Sequence, residues 1–352
     1  MRQSKFLLSF TISVLSFALL ISALIFIVNP KQTFKSNTDS PFYHYHDNFL
    51  LRKIDLMEKN ESRLSFDTLI LGSSTSEVLI PADMNELFSA RSFSGSIGGG
   101  QTPIRYAFFK QAQKHFPELR RIIYMVDFFE FNHFNMPGDF LYQEKLRSLS
   151  SNILDEESVF SEIARLKYHL SHQMIESTFS VLTKRFKEKE TIIHPDGTTQ
   201  QSMILSPLKE TKTPHRALTD SDKKNLMKQV NENYYTYSNQ VLNDFHQLNP
   251  ITMNLFNQLI EEARQSQIEI HFILAPYQYD FRERLLKNKQ LQDRYHEWSE
   301  FVLSLSQDGV LVHPFHQEGP GLDSLSPHWR DGIHFDRYSL LEYLRARLAT
   351  DK

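Results

Sequence analysis

Two short stretches carry side chains that could do covalent chemistry together. The first is Leu71-Gly72-Ser73-Ser74-Thr75-Ser76-Glu77, which ends and follows an apolar run. A serine in a tight turn between a strand and a helix presents its hydroxyl at a sheet edge, where open α/β proteins build their sites. The N-terminus of the following helix offers backbone N–H groups to a developing oxyanion. The second stretch is Asp331-Gly332-Ile333-His334, near the C-terminus. A serine hydroxyl needs a base to take its proton, and a carboxylate that fixes the tautomer makes imidazole that base. Each stretch also has a plain structural reading: Gly followed by Ser and Thr makes a good N-cap, and a loop histidine is ordinarily solvated.

The elements that must position these residues alternate between strand and helix, the pattern of a parallel sheet covered on both faces. Strands are expected at 67–72, ending near Phe93, and at 121–128, 269–276 and 310–315. Apolar residues three and four apart mark helices over 102–116 and 249–267, and 339–350 reads as a closing helix. Between 137 and 248 the rhythm is lost. Amphipathic pieces, with exposed loop expected at 190–222, read there as a mostly helical insertion or cap, leaving 61–136 and 249–352 as the α/β domain.

The 352 residues allow two domains, or one large domain with an insertion. At 40% hydrophobic and 23% charged, the composition excludes a wholly disordered chain and a disulfide-stapled mini-protein. Thirty-nine Lys and Arg against 42 Asp and Glu give a net charge of -3 and no cationic field for nucleic acid, so no nucleic-acid partner is expected. There is no cysteine, which removes disulfides, thiolate metal sites and Cys nucleophiles together.

One segment stands apart. Residues 6–28 contain no charge, proline or glycine. A helix of that length exceeds the roughly 30 Å hydrocarbon core of a bilayer. Its few Ser and Thr hydroxyls are expected to bond back to helix carbonyls. A cleaved signal peptide would have a shorter apolar region and a small-residue cleavage site, so an uncleaved anchor is the expectation. Arg2 and Lys5 before the span, with the amino group, tilt the 1–5 tail toward the cytoplasm against Lys31 and Lys35 after it. The bulk of the chain is then expected outside the cytoplasmic membrane of a bacterium, with 29–60 as a tether.

The Ser and Asp-x-x-His stretches, in this order on this rhythm, resemble the SGNH (GDSL-type) hydrolase family over roughly 66–135 and 268–345. The resemblance implies a three-layer, flavodoxin-like α/β fold with a parallel sheet. It also implies Ser74 as nucleophile, His334 as base and Asp331 as its orienting partner, with no cofactor and no metal. Ser73 stands where the family often has Asp. The oxyanion hole would be the backbone N–H groups of Ser74 and of Gly99, with Gly98 and Gly100 as alternatives. The family's third block supplies an Asn that donates to the oxyanion, and this chain has Asp127 there. An ionised carboxylate cannot donate, so Asp127 is either a site-lining departure or a structural acceptor of loop N–H groups.

The layout of one N-terminal anchor before such a domain is similar to the D-alanyl transfer protein and to alginate acetylation proteins. That implies O-acylation or deacylation of a cell-envelope polysaccharide beside a multi-pass membrane O-acyltransferase. Two alternatives are a non-catalytic scaffold in polysaccharide synthesis or export, and a carbohydrate-binding module. Other residues have plainer readings. His44 and His46 read as an interfacial or surface pair. Pro314 between His313 and His316 argues for a loop rather than a zinc site. Gly98-Gly99-Gly100 lacks the residues of a nucleotide-binding loop. Phe128, Phe129, Phe131 and Phe134 are expected as core and pocket wall, and Tyr277 and Tyr279 at a cleft mouth.

Overall fold

The computed structural model describes residues 2–34, 39–45, 48–59, 65–99, 101–132, 162–187, 192–199, 218–318 and 329–350. Gly100, His46, Phe134, and 137–161, 188–191 and 200–217 of the expected insertion lie outside the described residues. In chain order the main elements are α1 (Arg2–Val28), α2 (Phe49–Lys59), β1 (Thr68–Leu71), α3 (Pro81–Phe88), β2 (Ser92–Ser94), α4 (Thr102–His115), β3 (Arg121–Val126), α5 (Glu162–His169), α6 (His172–Phe186), α7 (Asp220–Thr236), α8 (Pro250–Gln265), β4 (Glu269–Leu274), α9 (Tyr279–Leu286), α10 (Lys289–Ser304), β5 (Leu311–His313) and α11 (Arg337–Thr350). They form two compact units, 1–52 with 136–192, and 53–135 with 193–352. The division falls inside the stretch expected as one insertion, near residue 192.

The larger unit is built on a five-stranded parallel sheet in the order β2-β1-β3-β4-β5. Strands buried on both faces should read as near-continuous apolar runs; β3 (RIIYMV) does after Arg121, and β4 (EIHFIL) does after Glu269 apart from buried His271. Side chains alternate between faces. Tyr124 of β3 stacks on Phe256 of α8 at 5.2 Å and meets Phe272 of β4 at 5.7 Å, so α8 covers that face. On the other face His271 of β4 packs against Phe88 of α3 at 4.9 Å. The chain runs from β1 out to β2 and returns past β1 to β3. That reversal places the C-terminal ends of β1 and β3 side by side, the position where open α/β sheets bind ligands.

Three expectations change here. The expected strand at 121–128 stops at Val126, because Asp127 starts a 3-10 turn over Phe128–Phe131. The 29–60 segment is not simply a tether. It contains α2, in which Ile54 and Met57 are fully buried. Tyr277 does not line a cleft mouth: it is in the core against Phe281 and Tyr295, whereas Tyr279 is partly exposed.

In the smaller unit, α1 contains an apolar stretch from Phe6 to Val28 long enough to cross a membrane. Ser13 Oγ and Ser22 Oγ donate to the carbonyls of Ser9 and Ala18, at 2.9 and 2.8 Å, satisfying within the helix hydroxyls that would be costly in lipid. Asn29, with φ of 45°, ends the helix in the left-handed conformation that Asn tolerates. The C-terminal end of α1 packs on α6: Val28, Tyr45 and Val181 form a buried cluster joined by Leu24, Phe42 and Leu182.

Candidate active site

β1 ends at Leu71 and the chain turns sharply through Gly72. Its φ is 147°, and a Cβ there would lie 2.4 Å from Ser76 Cβ and 3.0 Å from the Met125 carbonyl. Only glycine fits. Ser73 caps the 3-10 turn Ser74–Val78, its Oγ accepting the Thr75 N–H at 3.2 Å. Ser74 follows at the mouth of the turn, half-buried between buried Ser73 and Thr75.

The histidine loop meets it from the other end of the sequence. Asp331 Oδ1 accepts the backbone N–H groups of Ile333 and His334, each at 2.8 Å, and its Oδ2 lies 2.7 Å from His334 Nδ1. His334 Nε2 lies 3.0 Å from Ser74 Oγ. Burial would raise the Asp331 carboxyl, but the hydrogen bonds and charge of His334, with the two backbone donors, hold it below its ordinary value. An ionised Asp331 accepts only, so the proton sits on Nδ1 and Nε2 is left to accept from the serine. Two contacts hold the loop in place: Gln278 N–H donates to the Gly332 carbonyl at 3.0 Å, and Arg330 N–H to the His334 carbonyl at 3.1 Å. A Cβ on Gly332 would strike the Phe281 ring at 2.8 Å. The structure thus brings together the serine, histidine and aspartate, which lie about 260 residues apart in sequence for the Ser74–His334 pair.

Ser73 and Asp127 do not open into the site; both are fully buried beneath it. Asp127 Oδ2 accepts the Ser73 hydroxyl at 2.5 Å and the Thr75 hydroxyl at 2.8 Å. Asp127 is therefore an acceptor, though of hydroxyls in the serine turn rather than of the loop N–H groups expected from sequence. Burial raises its carboxyl, against the Ser73 and Thr75 hydroxyls and the Arg105 charge. Behind it, Glu130 Oε1 lies 3.4 Å from Arg105 Nη2, and Glu130 Oε2 accepts from Tyr124 Oη at 2.8 Å and Thr102 Oγ1 at 3.1 Å. Burial, with the neighbouring Asp127 charge, lifts the Glu130 carboxyl to about 7 against the pull of Arg105.

Of the two described glycines of this run, Gly98 is the one against the Ser74 turn, its Cβ position 3.8 Å from Ser74 Cβ and 3.7 Å from Glu77 Oε1. Gly99, at φ of 64°, has open space on that side. Sequence reasoning assigned no role to Glu77 or Lys53. A 3-10 turn stacks residues i and i+3, so Glu77 lies on the same side as Ser74. Burial raises the Glu77 carboxyl, opposed by Lys53 and His334. Lys53 is fully buried and donates from Nζ to the carbonyls of Ser94 and Ser96, at 3.0 and 2.6 Å, fixing the segment that leads to Gly98 and Gly99. Burial lowers its pKa to about 8, against the charges of Glu77 and Asp196.

His313 and His316 have other partners. His313 Nε2 lies 3.0 Å from His271 Nδ1, and His316 Nε2 lies 2.9 Å from Ser299 Oγ. Phe128, Phe129 and Phe131 belong to the core. A serine hydroxyl, an imidazole poised to take its proton and a carboxylate that fixes that imidazole can together perform nucleophilic acyl transfer. No family model matches the chain and no curated protein matches it significantly, so the reading of the site rests on its geometry.

Proposed function

We propose that the chain is a membrane-anchored serine esterase or O-acyltransferase of SGNH type. The observation that carries this reading is the continuous contact from Ser74 Oγ to His334 Nε2 at 3.0 Å and from His334 Nδ1 to Asp331 Oδ2 at 2.7 Å. Its position at the reversal point of a 2-1-3-4-5 parallel sheet supports the flavodoxin-like, three-layer assignment. A scaffold has no need for a serine and a histidine to approach this closely, so the geometry favours the enzyme over that alternative.

In the proposed reaction Ser74 Oγ attacks an ester carbonyl as its proton passes to His334 Nε2, and Asp331 stabilises the imidazolium. The backbone N–H groups of Ser74 and of Gly99, or of the nearer Gly98, would hold the oxyanion. His334 returns the proton to the leaving alcohol, which departs from an acyl-Ser74 intermediate. A second alcohol or water, deprotonated by the same imidazole, then attacks the acyl carbon; the bond to Ser74 Oγ breaks and His334 Nε2 returns the proton to that oxygen. With Asp127 occupied by the Ser73 and Thr75 hydroxyls, the Asn donor of the family has no counterpart at this position; lack of one such donor costs about 100- to 1,000-fold in turnover.

The substrate class follows from the resemblance and from α1. It is an acyl ester of a cell-envelope polysaccharide, handled on the outer side of a bacterial cytoplasmic membrane beside a multi-pass O-acyltransferase. The test uses the full chain in detergent with 4-nitrophenyl acetate, following nitrophenol release and any acyl adduct by mass. Ser74→Ala or His334→Ala should lower turnover by on the order of 10^6-fold. Asp331→Asn should cost about 10^4-fold by imposing the wrong tautomer. Full activity in folded Ser74→Ala protein would rule out Ser74 as the nucleophile.

A further inference from the structure

The smaller unit carries an apolar surface that its own core does not use. On α6, Ile175, Phe179, Leu182 and Phe186 recur at spacings of four, three and four, which puts them on one stripe of the helix. Leu182 turns toward the end of α1 and joins the Val28 cluster. Phe179 and Phe186 remain 51% and 82% exposed. α5 and the residue that follows it repeat the arrangement: Leu166 and Leu170, one turn apart, are 59% and 51% exposed. Phenylalanines and leucines at such exposure are costly in water.

What covers them follows from where they sit. α6 packs through Val181 and Leu182 on Leu24 and Val28, the last turns of α1. α5 is fixed to the same end, because His169 stacks on Phe34 at 4.2 Å and Phe34 meets Phe26 of α1 at 5.1 Å. The His169 ring also lies 3.1 Å from Thr33 Oγ1. The exposed stripe is thus continuous with the exposed apolar surface of α1 at Phe26 and Ile27. Exposed Lys167 and Lys187 flank it, and Arg185 stacks on Tyr45, an aromatic residue of the kind found at the headgroup level. Apolar stripe, flanking cations and aromatic ring are the make-up of a helix lying in a membrane interface.

We propose that α5 and α6 lie in the headgroup layer of the bilayer that α1 crosses. Leu166, Leu170, Phe179 and Phe186 enter the upper acyl chains, and Lys167 and Lys187 meet the lipid phosphates. The proposal rests on the reading of α1 as a membrane span. A single crossing helix can rotate and tilt freely, whereas a span braced by two interfacial helices holds the smaller unit at a fixed height and orientation on the membrane.

The absence of cysteine allows a direct test. Single substitutions Phe17→Cys, Gln173→Cys, Phe179→Cys and Phe186→Cys in the full chain would each carry one environment-sensitive fluorophore. Each protein is reconstituted into vesicles of phosphatidylcholine and phosphatidylglycerol, with and without doxyl-labelled lipid. Gln173 is exposed on α6 about 120° around the helix from Phe179 and serves as the reference. Labels at 179 and 186 should shift to the blue and lose emission to lipid labelled near the headgroup, the label at 17 should lose emission to lipid labelled deep in the chain, and the label at 173 should do neither. Labels at 179 and 186 that behave like 173 while 17 is quenched would overturn the proposal and leave the span intact. No quenching at any site would remove both. Quenching at 179 and 186 without quenching at 17 would keep the interfacial helices and remove the span.

Discussion

Ser73 and Asp127 are joined by a 2.5 Å hydrogen bond from Oγ to Oδ2 that ties the turn after β1 to the end of β3. Thr75 adds a second tie to the same carboxylate, so the residues on either side of Ser74 are held from below by one acid. Ser74 itself is left facing His334. The proposed role of Ser74 requires its rotamer and backbone to be fixed by their surroundings, and the carboxylate at the end of β3 holds the residues on either side of it.

Removing the acid should therefore loosen the turn. Asp127→Ala leaves two buried hydroxyls without their acceptor, at about 1–3 kcal/mol each, partly offset by no longer burying a carboxyl. We expect a net loss of about 2–4 kcal/mol in urea unfolding together with reduced turnover. Asp127→Asn keeps an accepting oxygen and should lose less than half as much. If Asn proves as damaging as Ala, the negative charge rather than hydrogen bonding holds the turn.

Lys53 braces the opposite wall of the site. Lys53→Met fills the same space but loses both bonds to the Ser94 and Ser96 carbonyls and leaves Glu77 without the cation that most opposes its burial. Hydrogen bonds from a charged donor are worth roughly 1.5–3 kcal/mol each, set against the cost of burying the ammonium, so a loss of about 1–3 kcal/mol is expected. The pH dependence is the sharper readout. With the folded pKa down at about 8 and the ordinary value at 10.5, the unfolded chain binds more protons in that interval. Unfolding free energy then rises with pH across it, a contribution that Lys53→Met should lack. Parallel stability curves for the two proteins from pH 8 to 10.5 would show that burial does not lower the Lys53 pKa and that the ammonium stays charged throughout.

What sequence revealed and what it hid divide along physical lines. Ser74, Asp331 and His334 were legible because a serine after a strand-ending glycine and an Asp-x-x-His stretch are residue types and spacings that stand out in sequence, and β3 and β4 because a strand buried on both faces is largely apolar. The partners of Asp127 were not, since a carboxylate at a strand end looks the same whether it faces solvent, an oxyanion or two hydroxyls from the turn after another strand. Glu77 was hidden by the kind of helix: in an α-helical reading it is one charge of a first turn, and only the tighter 3-10 turn stacks it on Ser74. For α2 a signal was present. Asn48 caps the helix by accepting the Leu51 N–H at 3.0 Å, and Leu50, Ile54 and Met57 recur at spacings of four and three. Its position soon after an apolar helix long enough to cross a membrane concealed that it contributes to the larger unit.

The buried acid pair behind the turn should give stability an inverted pH dependence. Glu130 is fully buried, with its carboxyl lifted from 4.5 to about 7, chiefly by burial. Between those values the folded chain holds a proton that the unfolded chain has lost, so ΔG of unfolding falls as pH rises. The stability that protonated Glu130 contributes is complete below the ordinary carboxyl range and is lost as pH passes through about 7. Asp127, also raised by burial, acts in the same direction. Glu130→Gln keeps an acceptor for Tyr124 and Thr102 but cannot ionise; it should flatten the decline between pH 4.5 and 7, so that the variant gains on the wild type as pH rises to 7. Urea midpoints of both proteins at half-unit steps would measure this. A wild-type curve that climbs through the interval as steeply as the variant's would mean that Glu130 stays ionised throughout, with Arg105 outweighing the cost of burial.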